Sequence, residues 1–413
     1  MIHNLKVKNF YSINNEVEIN FVAKSGSITV PELYLNGPLD TKVTKIAFVG
    51  GPNGAGKTNL LRPLAFLQYM LAYSAMHNEI EVIPYLPFAA NGDGEESKIT
   101  VEFSIGSDFF DYEIVFNRDR ILGETLYVTN IVSERATRKK IYIRKWGTDK
   151  YIVDVTDLAK NLLRVEDLEN ALSLDVNRNK TIISLYANMD NVNGYLRKIL
   201  NYWSGIYTNI VSFGNMESEF PASQLANNAL KLIAGRKQGR EITQRILKSV
   251  DIGFSGITEF RSKQDPSFLS YGIQHSFGKN VFSFPAAEES TGTNRIVYLV
   301  EKISDLLSRS EGSVAIIDDM DAFIHPDIYA MLVEQFMSSS VNKNGTQLIL
   351  TSHNYTTLNF LDKQQIVLTE RNKEGATESW RLDQVKGVES HDNFYAKYMA
   401  GKYGAVPRTE KIQ

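Results

Sequence analysis

The segment GGPNGAGKTNL, Gly50 to Leu60, puts four residues between Gly51 and Gly56-Lys57-Thr58. It follows the apolar run from Ile46 to Val49 and precedes the apolar-periodic NLLRPLAFLQYMLAYSAM. A glycine loop between a strand and a helix is a phosphate cradle. Backbone N–H groups curl around an anion, and the helix N-terminus adds partial positive charge. Gly51, Asn53, Gly54, Gly56, Lys57, Thr58 and Asn59 are the expected nucleotide contacts. Lys57 reaches the β and γ phosphates, and the Thr58 hydroxyl is offered to Mg²⁺.

Three further elements fit the same chemistry. In SVAIIDDMDAFIHP, the apolar residues Val314 to Ile317 deliver Asp318 and Asp319, as a buried parallel strand delivers carboxylates at its C-terminal edge. Asp318 is expected to hold Mg²⁺ through water, and Asp319 to polarise an attacking water. In LILTSHN, the strand from Gln347 to Leu350 ends in Thr351-Ser352-His353, and His353 is read as a γ-phosphate sensor. In AAEESTGTNRIVYLV, Ser290 and Gly292 open an apolar-periodic helix, an arrangement that also describes an ordinary capped helix.

Positioning these groups requires a sizeable fold. The chain has 413 residues, 43% hydrophobic and 11% aromatic, enough for one elaborated domain or two smaller ones. Lys plus Arg (45) nearly balance Asp plus Glu (48), so any contact with nucleic acid must come from a local patch. There is no cysteine, which excludes disulfides and thiolate metal sites. The histidines show no zinc-binding spacing. The N-terminus alternates like a strand and has no signal-peptide pattern, and no apolar run reaches membrane-spanning length. A soluble, cytoplasmic protein with no membrane partner is expected.

Val43 to Val49 is expected to be one strand, and Pro63 to kink the following helix or shift its start. Residues 98–155 alternate in short segments that predict an antiparallel β lobe. Residues 156–250 read as mostly helical. GITEFRS and NVFSFPA read as strands, and strands and helices alternate from Val314 to Leu368. The expected division is an N-terminal lobe at 1–155, a helical or mixed insertion at 156–280, and a C-terminal lobe at 281–413. Arg135, Arg138, Lys139, Lys140, Arg144 and Lys145 concentrate charge on one hairpin, either a phosphate-binding patch or a solvated face. The aromatic stretch LNYWSGIYTNIVSF is either partner-facing or core.

In order and spacing, the four elements resemble those of ABC-type ATPases. ESTGT is similar to the family signature, and DDMDAFIHP to its acidic strand and the loop that follows. LKVKNFYSI before the glycine loop resembles the SMC, RecF and OLD branch. Within that branch the chain is most similar to compact ATPases of bacterial abortive-infection and anti-phage operons, which finish near a segment like FYAKYMAGKYGAVP, here Phe394 to Pro407. The resemblance implies an α/β P-loop ATPase head with an antiparallel β lobe and an inserted helical region. It implies ATP and Mg²⁺ as cofactors, and a composite site in which Ser290 and Gly292 of one copy complete the P-loop, Asp318, Asp319 and His353 of another. It also implies a homo-oligomer, at least a dimer, controlling a separate effector such as a TOPRIM-like nuclease in response to a phage-encoded trigger. The residues after His353 are too few for a fused nuclease. Two positions depart from the pattern. The family's usual glutamate after the Mg²⁺ aspartate is Asp319, one methylene shorter, which implies slow hydrolysis. The usual glutamine between lobes has no clear counterpart, Asn188 being the candidate. A RecF-like repair ATPase binding DNA directly is the alternative; a transporter subunit fits least.

Overall fold

A computed structural model describes residues 1–24, 26, 28, 30–76, 82–132, 135–155, 170–186, 194–210, 221–236, 240–250, 252–261 and 269–407. Asn188 lies outside the described residues. The fold is mixed α/β with a large antiparallel sheet, the expected class. The chain divides into two compact units. The first comprises Met1–Asn215, Ser313–Asp319 and Gln347–Gln413; the second comprises Met216–Gly312 and Met320–Thr346.

The first unit contains two large sheets. Its antiparallel sheet has seven strands in the order Tyr151–Val155, Arg135–Trp146, Ile121–Val132, Asp108–Phe116, Ser97–Ile105, Ile2–Lys8 and Val17–Asn20. Alternation sets its buried face: along Asp108–Phe116, Phe110, Tyr112, Ile114 and Phe116 point inward between more exposed neighbours. The second sheet has the order Tyr207–Thr208, Val314–Ile317, Gln347–Thr351, Ile46–Gly50, Ile366–Arg371 and Thr377–Arg381. Its pairings are parallel except the last. The three middle strands are buried at every residue, as a parallel sheet covered on both faces requires.

The helix Lys57–Ala72 is apolar almost all round, and Leu60, Leu61, Leu64, Phe66, Leu67 and Met70 join one core with residues of both sheets. Pro63 lies inside this helix, which continues through it. The expected single strand from Val43 to Val49 is two. Lys42–Thr44 pairs with Tyr34–Asn36, whereas Ile46–Gly50 lies inside the parallel sheet. The chain changes partners between them, since Thr44 N–H bonds Phe21 and Lys45 N–H bonds Leu33.

Three of the six cations of the basic hairpin are paired with carboxylates. Arg144 is fully buried against Glu124 at 3.0 Å, Arg138 pairs with Asp111, and Lys140 pairs with Asp154. Lys139 and Lys145 remain exposed, and the Arg135 side chain lies outside the described residues. The Glu124 carboxylate also accepts the Tyr112 and Tyr142 hydroxyls and the Ile182 N–H, so the pair is a structural tie. In the described part of the aromatic stretch, Trp203, Ile206 and Ile210 are buried as core.

The second unit contains helices Ala222–Gly235, Arg240–Ser249, Thr291–Ser308 and Pro326–Met337, with a three-stranded antiparallel sheet of Phe254–Arg261, Leu269–Phe277 and Asn280–Pro285. The middle strand, LSYGIQHSF, carries little apolar alternation and was not expected. Gly272 lets its neighbour close in, because a Cβ there would lie 2.0 Å from the Phe284 carbonyl oxygen. Among the described residues, no helix is long and apolar enough to cross a membrane.

Candidate functional site

The parallel register brings three strand ends to one edge. Ile317 pairs with Leu350, and Thr351 with Val49. The glycine loop after Gly50, the aspartates after Ile317 and His353 after Thr351 therefore emerge together, where open α/β sheets place ligands.

The loop needs its glycines. Gly54 and Gly56 have φ of 74° and 96°, in the left-handed region. Gly56 admits no side chain for a second reason: a Cβ would lie 2.1 Å from Thr377 Oγ1 and 2.9 Å from Ser12 Oγ. These two hydroxyls are 2.7 Å apart, Thr377 donates to the Ala55 carbonyl, and Asn59 donates to Ser12. The loop is thus braced by the N-terminal turn and the last strand of its own sheet. Asn53 and Gly54 are exposed at its tip. Lys57 is buried, and its ammonium donates to the carbonyls of Gly51 (3.0 Å) and Pro52 (3.3 Å). Its charge is thus held in part on the loop's own carbonyls.

Beside the loop, Thr58 Oγ1 donates to Asp318 Oδ2 at 2.7 Å, and Thr351 Oγ1 donates to Asp318 Oδ1 at 2.5 Å. Both carboxylate oxygens are therefore aimed. The backbone of Asp318 is fixed by Asn209, whose amide accepts its N–H at 2.7 Å and donates to its carbonyl at 2.9 Å. A hydroxyl and a carboxylate in contact are hard oxygen donors of the kind Mg²⁺ takes while keeping several waters. Glycine cradle, lysine and oxygen pair together fit a nucleotide triphosphate with Mg²⁺.

Asp319 has φ of 44°, left-handed for a non-glycine residue, and its N–H donates to Thr351 Oγ1 at 2.8 Å. Aspartate tolerates this region because its side chain is short and polar. The turn directs its carboxylate outward, 55% exposed, with Oδ1 3.9 Å from Nε2 of the half-exposed His353. A carboxylate acceptor and an imidazole thus stand side by side and open to solvent at this edge.

Ser290 and Gly292 lie in the second unit. Ser290 caps helix Thr291–Ser308, accepting the Thr293 N–H at 3.0 Å. Buried Asn294 donates to the Ala286 carbonyl and fixes the approach to this cap. Within the same unit the chain at Phe323 crosses the helix start, and a Cβ on Gly292 would lie 2.9 Å from the Phe323 carbonyl oxygen. Downstream, His325 and Pro326 start the next helix, the histidine ring accepting the Asp327 N–H.

Lys57, Thr58, Asp318, Asp319 and His353 thus converge in the first unit, with Ser290 and Gly292 at a helix start in the second. Sequence reasoning missed two residues. Thr351 is visible only as the polar end of an apolar strand, and Asn209 lies in an aromatic stretch whose signal is core.

No curated protein matches the chain. Among solved structures, it is similar to the SMC head domain from Thermotoga maritima, at 12% identity and a TM-score of 0.42, covering 92% of this chain and 98% of that one. The family described as "AAA domain, putative AbiEii toxin, Type IV TA system" matches residues 46–359, from the strand before the glycine loop to beyond His353. The chain belongs to this family of P-loop ATPases.

Proposed function

We propose that the chain binds ATP with Mg²⁺, hydrolyses it slowly, and uses the bound state to hold two copies together as a switch. The observation that carries the nucleotide reading is the Thr58–Asp318 contact of 2.7 Å at the sheet edge where Lys57, Asp319 and His353 converge. ATP and Mg²⁺ supply the phosphoanhydride to be cleaved and the charge that polarises it. Lys57 leaves its loop carbonyls for the phosphates. Thr58 and Asp318 hold the ion, Asp319 takes a proton from water, and His353 reads the terminal phosphate. A carboxylate shorter than the glutamate usual in ABC-type ATPases supports slow turnover, because ~1 Å of misplacement costs about a hundredfold.

The ABC-type resemblance supports completion of the site in trans by Ser290 and Gly292 of a second copy. The family description, which names an abortive-infection-type toxin and a toxin–antitoxin system, supports a role in anti-phage defence. In this reading the ATPase is the sensor and scaffold, a phage-encoded product is its trigger, and a separate effector, a TOPRIM-like nuclease, is its target. The pairing of Arg138, Lys140 and Arg144 with carboxylates weighs against the RecF-like alternative of direct DNA binding.

The test is ATP binding and phosphate release with and without Mg²⁺, in wild type and Lys57→Ala. Loss of both in the variant is expected. Near-normal affinity and turnover in Lys57→Ala would overturn the reading.

A further inference from the structure

The carbonyl of Gly51 accepts two hydrogens, one from the Lys57 ammonium and one from the hydroxyl of Tyr355 at 2.8 Å. The same hydroxyl accepts the Gly51 N–H at 3.0 Å, so one phenol holds both backbone groups of this buried glycine. Neighbouring Gly50 makes room for the ring, since a Cβ there would lie 3.0 Å from it.

Tyr355 is itself held by the last described part of the chain. Its ring stacks on Tyr398, centroids 4.3 Å apart, and Tyr398 lies on helix Phe394–Met399. The Tyr398 hydroxyl donates to the Ala405 carbonyl at 2.7 Å, and the Ala405 N–H donates to Glu370 at 3.1 Å. Ala405 has φ of 54°, a conformation L-residues avoid, and these two bonds keep it there. Burial raises the Tyr398 phenol well above its ordinary pKa, so it remains a donor. Arg371, next to Glu370, donates to the Gly54 carbonyl, so the loop is gripped a second time from this side. A groove of about 900 Å³ is lined by the loop, Arg371 and this C-terminal hook.

We infer that Tyr355 is a positioning residue for nucleotide binding, and that residues 394–407 form a hook that holds it on the P-loop. When Lys57 turns from the Gly51 carbonyl to a phosphate, it takes away one of two hydrogen bonds at a buried oxygen. The Tyr355 hydroxyl stays, so the lysine is released without stranding an unpaired acceptor. The hook fixes the phenol where this exchange occurs. This inference rests on the reading of the loop as an ATP site.

The test is ATP titration of wild type, Tyr355→Phe and Tyr398→Phe by calorimetry, with turnover at saturating ATP and thermal unfolding of each. Phenylalanine keeps both rings stacked. Tyr355→Phe is expected to weaken ATP about tenfold, the usual effect of leaving a buried acceptor unpaired, with kcat within about twofold of wild type. Tyr398→Phe, which removes the bond to Ala405 and the hydroxyl's interaction with Tyr355, is expected to weaken ATP about threefold. A merely structural role would lower the unfolding temperature and leave the Kd of the folded protein unchanged, and that result overturns the inference. Unchanged affinity in Tyr398→Phe alone removes the hook from it. If wild type itself binds no ATP, the nucleotide reading fails and this inference falls with it.

Discussion

The hydroxyl of Thr351 donates to Oδ1 of Asp318 at 2.5 Å and accepts the N–H of Asp319 at 2.8 Å. One side chain on the neighbouring strand therefore sets both aspartates, orienting the carboxylate of the first and the left-handed turn of the second. Replacing it with the near-isosteric valine removes both bonds and keeps the strand. Thr351→Val is expected to lower ATP turnover between about ten- and a hundredfold, because a displaced general base loses rate steeply. ATP affinity should stay within about threefold, since the P-loop contacts are untouched. Turnover equal to wild type would show that the aspartates are held without Thr351.

Asp319 separates catalytic geometry from backbone preference. A glutamate would extend the carboxylate toward a water, so Asp319→Glu is expected to match or exceed wild-type turnover. The same change removes the short polar side chain that suits a φ of 44°, and folding stability should fall by up to about 1 kcal/mol. Steady-state phosphate release and urea unfolding measure the two effects separately. A large loss of turnover in a well-folded Asp319→Glu would mean that the aspartate is tuned to its own geometry, or is not the base.

His3 gives the fold a pH dependence apart from the site. It is buried, its Nε2 lies 2.8 Å from Ser104 Oγ, and burial above all lowers its pKa from 6.5 to about 3. A base with a depressed folded pKa is neutral when folded and takes a proton on unfolding. Its stability is therefore complete above pH 6.5 and is lost as pH falls toward 3. Between pH 6.5 and 5 the loss is about 2 kcal/mol. His3→Gln should flatten the stability–pH curve in that window. An unchanged slope would show that His3 titrates normally.

Three of the hairpin cations, Arg138, Arg144 and Lys140, are matched to Asp111, Glu124 and Asp154, which leaves Lys139 and Lys145 as its exposed charges for a phosphate backbone. The isolated protein is expected to bind duplex DNA weakly, with a shallow change between two salt concentrations. Tight binding with a steep salt slope would favour the RecF-like alternative.

The motif-bearing residues were legible because their chemistry demands fixed spacing in a fixed context. A strand, a glycine loop and a helix leave few other readings for Gly51 to Thr58, and four apolar residues ending in two aspartates imply a buried parallel strand. Thr351 and Asn209 act through sheet register and through a two-residue strand, neither of which has a local signature. Arg144 looked like part of a charged face because alternation assigns a side of the sheet, whereas Glu124 opposite it decides that the pair is buried. The break between Thr44 and Ile46 was hidden for a related reason. An apolar run does not tell which of two sheets its halves join.

In the proposed switch, ATP holds two copies of this chain together until slow hydrolysis releases them. Light scattering of the Asp319→Asn variant, which removes the base and keeps the P-loop, measures this directly. With Mg²⁺ and saturating ATP the mass is expected to double relative to the nucleotide-free protein, and Ser290→Arg in the same background is expected to keep it single. An unchanged mass in a variant shown to be saturated with ATP would contradict the claim.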